Sequence, residues 1–173
     1  AKLKLGIAQV RLKQYDPARE TFRTLVKEGV TESREASVWL ARVYLRQGQG
    51  DKLLDLARTL PTSALSAEQK GQITLFAGIW LEDQGRFDDA IVRYRQVAKV
   101  GEPASQRAEA RWRVGWVYYR MARYHEAGDE LRLLADQHDS DFEPQALYWT
   151  GRAAELSQQP HARDVFVQLC QRY

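Results

Sequence analysis

One cysteine, one methionine and no asparagine stand among the 173 residues. Without a second thiol, Cys170 cannot close an internal disulfide or complete a dithiol redox pair, and no further cysteine is left to build a zinc site. The compartment stays open on this count, because a core of this size holds together without covalent staples in a reducing or an oxidising space. No apolar run approaches the roughly 20 residues that cross a bilayer, and no signal-peptide pattern opens the chain. Ala1 leads straight into Leu3, Leu5 and Ile7 with no capping residue before them, which reads as a fragment or a processed product, so that any targeting segment would have been lost upstream. A dominant charge sign is missing too: 26 Lys and Arg face 23 Asp and Glu, for a formal charge of +3. The signs are interleaved, Arg93 and Arg95 with Asp88 and Asp89, Arg132 with Asp129 and Glu130. A nucleic-acid binder gathers its cations on one face, so nucleic acid is not an expected partner.

What the chain does have is 44% apolar residues, enough for a continuous core, and a repeat. A small residue is followed about twelve positions later by another, and four beyond that by a large apolar one. Gly6, Ala18 and Phe22 form one instance, Gly78, Ala90 and Tyr94 another, Gly115, Ala127 and Leu131 a third. Ala41, Leu53 and Ala57 make a weaker version, and Gly151, Ala162 and Phe166 one with a turn shorter by a residue. Successive first members are 35, 37, 37 and 36 residues apart, which is room for two helices and two turns per repeat. The small residues have a physical job. Where two helices cross, only Gly or Ala lets the backbones approach and a partner side chain interlock.

Turn signals fall where this reading needs them. Gly48 and Gly85 follow a first helix as left-handed caps, and Asp16-Pro17 opens a helix with proline at its first position. Ser66 with Gln69, and Ser140 with Glu143, have the spacing of capping boxes, while Pro61 and Pro103 lie in connections between repeats. The pattern predicts helices over 1–13, 16–28, 32–47, 50–59, 66–84, 87–100, 104–121, 124–138, 144–157 and 160–172, with no sustained strand alternation anywhere. The last helix carries Ala162, Phe166, Leu169 and Tyr173 along one stripe with no polar capping element after it, which reads as a protein that continues beyond Tyr173 unless a neighbouring copy covers the stripe.

Tyr44, Tyr118, Phe87 and Tyr124 flank the same crossings, and together with the small residues they resemble the tetratricopeptide repeat. That resemblance implies an all-α fold: an α-solenoid of about five tetratricopeptide-like helix pairs forming a right-handed superhelix, in a single domain over residues 1–173. A second resemblance is confined to residues 105–173. The runs Arg111-Trp112-Arg113-Val114-Gly115-Trp116-Val117-Tyr118-Tyr119-Arg120, Tyr124-His125-Glu126-Ala127 and Ala146-Leu147-Tyr148-Trp149-Thr150-Gly151-Arg152-Ala153 are similar to the helical superhelix of soluble lytic murein transglycosylases. It implies a periplasmic protein whose helices support a separate, downstream catalytic domain and help guide the glycan strand of peptidoglycan. The catalytic signature itself is missing. Glu32-Ser33 matches the dipeptide that holds the family's acid, but the accompanying Gly-Leu-Met-Gln segment is absent and the only methionine is Met121. Glu32 instead begins a repeat helix, where the dipole favours an acidic residue.

Other candidate chemistry is thin. His125, His138 and His161 fall at turns or helix ends, without an evident partner at metal-ligand spacing on a shared helix face. Asp88-Asp89 and Glu82-Asp83 are sequence neighbours, which point to different sides of a helix and form no acid/base dyad. Cys170 sits by the apolar stripe of the last helix and reads as a core thiol, and Gly48 and Gly50 as helix punctuation rather than a phosphate loop. No cofactor or metal is therefore expected. The resemblance places the first helix of each repeat on the concave face, where Glu35, Val38, Arg42, Leu75, Ile79, Glu82, Trp112, Trp116, Tyr119, Tyr148 and Arg152 would lie. Aromatic faces there would stack on sugar rings or on apolar peptide side chains, with Arg42 or Arg152 to hold a carboxylate. The competing reading is that Trp112, Trp116 and Tyr148 only pack between repeats. The asparagines of a carboxylate-clamp groove are absent.

Two functions follow: the non-catalytic superhelix of a transglycosylase-like protein bound to peptidoglycan, or an adaptor whose groove accepts a partner's peptide or helix. Both require the crossings. Ala90→Arg or Ala127→Arg is expected to destabilise the fold by several kcal/mol through overpacking and burial of a charge; an unchanged melting curve for either would refute the assigned crossing.

Overall fold

The structure is a computed structural model that describes residues 1–59, 65–136 and 141–173. Ten helices fill it: α1 Lys2–Arg11, α2 Tyr15–Glu28, α3 Ser33–Arg46, α4 Gly50–Thr59, α5 Ala67–Asp83, α6 Phe87–Val100, α7 Ala104–Arg120, α8 Tyr124–Ala135, α9 Glu143–Leu156 and α10 Ala162–Arg172. Among the described residues there is no strand. The helices form two compact units, Ala1–Gln84 and Gly85–Tyr173.

Local chemistry accounts for most of the ends. The Ser66 hydroxyl accepts from the Gln69 amide at 3.2 Å while the Gln69 side chain accepts from the Ser66 amide at 3.0 Å, the reciprocal capping box read from the sequence. The proposed box at Ser140 lies outside the described residues, as do Pro61 and His138. Pro103 stands at the N-cap of α7. Two expectations need correction. α2 begins at Tyr15, so Pro17 is its third residue rather than its first, which is tolerated because that amide has no partner inside the helix. Glu32 is the N-cap of α3, but its side chain accepts no capping hydrogen bond.

Helix pairs turn by one recurring device. Lys13, Gly48, Gly85, Ala122 and Gln158 all adopt the left-handed conformation, with φ between +56° and +71°. Gly48 and Gly85 do so without strain. Where the chain has Lys13, Ala122 and Gln158, the same turn is held by a pair of backbone bonds, such as Arg123 N–H to Tyr118 C=O at 3.0 Å and Ala122 N–H to Tyr119 C=O at 3.0 Å. Lys13–Gln14 and Gln158–Gln159 repeat the pattern against α1 and α9.

Inside the pairs, the crossings are as close as the small residues allow. A Cβ placed on Gly6 would come within 2.5 Å of the Phe22 ring, one on Gly115 within 2.5 Å of Leu131 Cγ, and one on Gly151 within 2.7 Å of the Phe166 ring. These are the same triplets that the repeat spacing joined, and Ala18 and Ala127 beside them are fully buried. Ala41 and Leu53 are buried between α3 and α4. Gly78 lies in the first unit, Ala90 and Tyr94 in the second, and all three are buried. Gly50 is more than punctuation: it opens α4 directly beneath the Trp80 indole, leaving no room for any Cβ.

The core of the first unit gathers Ala18, Phe22, Leu40, Val43, Leu53 and Ile73, and that of the second Ala108, Leu134, Ala146, Leu147 and Val165. A fully buried Phe22 contributes about 2–3 kcal/mol by removal of its ring from water. Three substitutions test these assignments by urea unfolding. Gly115→Ala is expected to lower stability by about 1–2 kcal/mol, overpacking against Leu131 outweighing its gain in helix propensity. Gly128→Ala, whose Cβ would meet only Ala153 at 3.8 Å, is expected to raise stability by about 0.5–1 kcal/mol. Ala122→Gly relieves the left-handed alanine and is expected to raise it by a similar amount, about 0.5–1 kcal/mol.

Candidate functional site

α7 divides its aromatic residues between two faces. Val114, Val117 and Tyr118 turn inward and are buried, while Trp112, Trp116 and Tyr119 follow each other at i, i+4 and i+7 and so share another stripe. On that stripe the rings lie nearly parallel. Phe142 stacks on Trp112 at 6.0 Å, Trp112 on Trp116 at 6.3 Å and Trp116 on Tyr119 at 6.0 Å, with interplanar angles of 22°, 11° and 4°. α9 closes one side of the row: Trp149 meets Trp116 and Tyr119 edge-on at 5.0 and 4.9 Å, and Tyr148 meets Trp149 and Phe166 the same way. Edge-to-face and offset contacts of this kind contribute about 0.5–1.5 kcal/mol each beyond the area they bury.

The row is an open shelf. Trp112, Trp116, Tyr119 and Trp149 are half-buried, Trp112 also leaning on the core of its unit, and Tyr148 is 43% exposed. The aromatics therefore do both jobs between which sequence reasoning had to choose: they pack against one another and still present surface. Arg152 stands on α9 paired with Glu155. That carboxylate, with smaller contributions from the Tyr119 and Tyr148 hydroxyls, holds the guanidinium above its ordinary value despite partial desolvation, so the shelf carries a fixed positive charge at its edge.

The first unit holds a separate feature. The Arg42 guanidinium lies 4.9 Å over the Trp39 ring and 5.6 Å from the Phe76 ring. With Glu35, Val38, Gln69 and Gln72 it lines a cavity of about 330 Å³ between α3 and the start of α5. Trp39 donates to Glu35 at 3.4 Å and stacks on Phe22 at 6.2 Å.

Of the residues assigned to the groove, Arg42, Glu35 and Val38 thus come together on α3, and Trp112, Trp116, Tyr119, Tyr148 and Arg152 on α7 and α9. Leu75 and Glu82 do not belong: both are buried, because α5 is covered around nearly its whole circumference. Ile79 is half-buried. Trp39 and Trp149 were missed. Both were signalled by the same i, i+3 spacing to an arginine of the predicted groove, Trp39 to Arg42 and Trp149 to Arg152.

The remaining candidates separate. Cys170 is exposed rather than buried, since α10 turns Ala162, Val165, Phe166 and Leu169 toward α9 instead. His125 does have an acidic partner on its own face, Asp129 at 3.3 Å one turn on. With Arg132 and His161 this pair lines a cavity of about 300 Å³. Among the described residues no group of three or more His, Cys, Asp or Glu could share a metal ion. Asp89 pairs with Arg86 at 2.6 Å and Asp88 faces Arg123 at 3.9 Å, while Glu82 is buried and Asp83 exposed; neither acidic pair forms a dyad. Among the described residues no helix is long and apolar enough to cross a membrane.

Comparison with known proteins bears on the fold. The sequence model of the tetratricopeptide repeat matches residues 3–60 and 77–142. No curated protein matches the chain. Among solved structures, MamA is similar over 98% of this chain and 88% of its own, at 15% identity and a TM-score of 0.74. The apo form of RapI is similar over 96% of this chain and 51% of its own, at 15% identity and a TM-score of 0.77. The Rap conjugation gene regulator of plasmid pLS20, solved in complex with the Phr peptide, is similar over 98% of this chain and 52% of its own, at 18% identity and a TM-score of 0.59. At these identities the likeness is one of fold.

If the stacked rings carry weight in the second unit, their loss is graded by burial. Trp116→Ala, which removes three ring contacts at once, is expected to lower the unfolding free energy by about 2–3 kcal/mol. Tyr148→Ala, at the exposed edge, is expected to cost less than about 1 kcal/mol. Equal effects of the two in urea unfolding would show that the row is not packed as described.

Proposed function

Because the chain belongs to the tetratricopeptide repeat family, we propose that it is a non-catalytic interaction module whose aromatic shelf on α7 and α9 receives a segment of a partner protein. The observation that carries this reading is the placement of Trp112, Trp116, Tyr119, Tyr148 and Trp149. They lie away from the close crossing at Gly115 and Leu131, and although Trp112 also packs on the core, they keep surface in contact with water. Preassembled Trp and Tyr with an arginine at the edge are the residue types that dominate binding energy at protein interfaces. The rings already hold each other in place, so little side-chain entropy remains to be lost on binding. The Rap regulator solved with the Phr peptide supports the same reading, as a protein of like fold caught with a peptide.

A finer reading makes this module the periplasmic support of a peptidoglycan-cleaving domain. It rests on the aromatic motifs of residues 105–173 alone, and neither the family match nor the solved structures add to it, so the protein partner is preferred. The cavity at Arg42 is a second point at which a bound segment would find a guanidinium braced by Trp39 and Phe76.

The test is site-specific photo-crosslinking in extract of the source organism. A benzophenone side chain in place of Tyr148 is expected to give a discrete protein adduct that unlabelled wild-type chain competes away. The same group in place of Leu133, exposed on α8, is expected to give none. Identical patterns from the two positions would sink the assignment of the shelf.

A further inference from the structure

The free polar atoms on the shelf are biased toward one kind. The indole N–H groups of Trp112, Trp116 and Trp149 and the hydroxyls of Tyr119 and Tyr148 make no hydrogen bond to a described residue, and none of them is a buried unsatisfied atom, so each reaches solvent. An indole can only donate, and so can the guanidinium of Arg152. Two carboxylates on the helices of the row are engaged, Glu155 by Arg152 and Glu109 by Arg113 at 3.1 Å. The free side-chain groups of the row itself are thus three indoles that only donate and two phenols that donate or accept.

A ligand must match that bias or leave its own polar groups stranded on desolvation. An α-helix has spent most of its backbone carbonyls internally and gives the donors only side chains to address. A sugar ring presents several hydroxyls that donate as well as accept, and against the three indoles each can use only its acceptor side. A polyproline II segment is the opposite of both. It has no internal hydrogen bonds, so its carbonyls stay available, and each proline lacks an N–H that would otherwise be orphaned against the rings. Its flat pyrrolidine faces pack on aromatic surfaces, and its backbone is already stiff before binding. Length agrees as well. The row from Phe142 to Tyr119 advances in steps of 6.0, 6.3 and 6.0 Å, a contour that about six residues of such a helix would follow at about 3.1 Å each.

We infer that the shelf formed by Trp112, Trp116, Tyr119, Tyr148 and Trp149 binds a proline-rich segment of a partner protein in the polyproline II conformation. This rests on the reading of the shelf as a protein-binding surface and names the chemistry that it selects. The carbonyls of the segment accept from the indoles and tyrosine hydroxyls, and its proline rings lie against the aromatic faces.

The experiment titrates the whole chain into fluorescein-labelled decaproline and follows anisotropy. An alanine-based helical peptide of equal length and a chitin oligosaccharide serve as alternative probes. Saturable binding of decaproline is expected, weakened at least about 10-fold by Trp116→Ala and about 2- to 10-fold by Tyr148→Phe, the worth of one hydrogen bond. Leu133→Ala is expected to leave it unchanged. Tyr148→Phe alters no packing, so it reports on the donor even if Trp116→Ala fails to fold. Decaproline binding that ignores both shelf substitutions overturns the inference. So does a shelf that takes the helical peptide or the oligosaccharide while decaproline stays free; capture of the helical peptide would leave the protein-binding function standing. Silence of every probe, together with no adduct from the crosslinker at position 148, overturns both readings.

Discussion

Everything else in this chain is arranged around places where two helix backbones come closer than a methyl group permits. At Gly6, Gly115 and Gly151 the partner is a large side chain, buried Phe22 or Leu131 or half-buried Phe166, lying where a Cβ would stand. An ordinary helix interior disfavours glycine by about 1 kcal/mol relative to alanine, so its use at these positions implies a larger return. The return is the seating of a bulky apolar side chain in a slot of its own shape, where dispersion and burial act at full contact. Once the slot sets the pair, the large residues around it are free to differ, and they do: Phe22 in one pair, Leu131 in another. A repeat defined by its gaps tolerates variation in what surrounds them.

This explains how much could be read before any coordinate was seen. Helix boundaries and close crossings were legible because both rest on residue types with few physical substitutes, glycine or alanine at a crossing and Ser66 with Gln69 at a cap. The turn residues were legible only in part. Gly48 and Gly85 announce a left-handed turn, but Lys13, Ala122 and Gln158 adopt the same conformation without any compositional mark, because the 6→1 and 5→2 backbone bonds impose it. Side-chain exposure was the least legible property. The resemblance placed Leu75 and Glu82 on an open face, yet α5 is covered on nearly all sides. Cys170 was assigned to a core that begins one residue away at Leu169. Helical spacing says which residues share a face and nothing about whether a neighbour covers it.

The aromatic residues show how much of one motif can be architecture. The Trp-Arg-Val-Gly-Trp-Val-Tyr-Tyr run resembles a family with a specific substrate, but half of what it encodes is architecture: Gly115 and Tyr118 serve the crossing and the core. The family match extends over residues 3–60 and 77–142, so it is the repeat that the chain shares with known proteins. Tyr118 makes the point. Buried in the core and capped by the guanidiniums of Arg95 and Arg123 at 5.5 and 4.6 Å, it is an aromatic of the motif that no ligand could reach.

What remains after the crossings are subtracted is a set whose size the crossings do not require. Trp112, Trp116 and Tyr119 lie on the stripe of α7 that does not carry Val114 and Val117, and small polar residues there would leave the crossing at Gly115 untouched. Half-exposed indoles on a water-facing surface carry an aggregation risk, since apolar patches of this kind invite unspecific contact. Two features limit it. The rings cover much of each other by stacking, and Arg152, held charged by Glu155, rims them. A surface that is apolar, rigid and fenced by a charge discriminates by what it can hydrogen-bond, because a ligand with the wrong polar groups loses more on desolvation than the ring faces return. Selectivity at such a site therefore depends less on the area of the rings than on the few indole and phenol hydrogens left free at their edges.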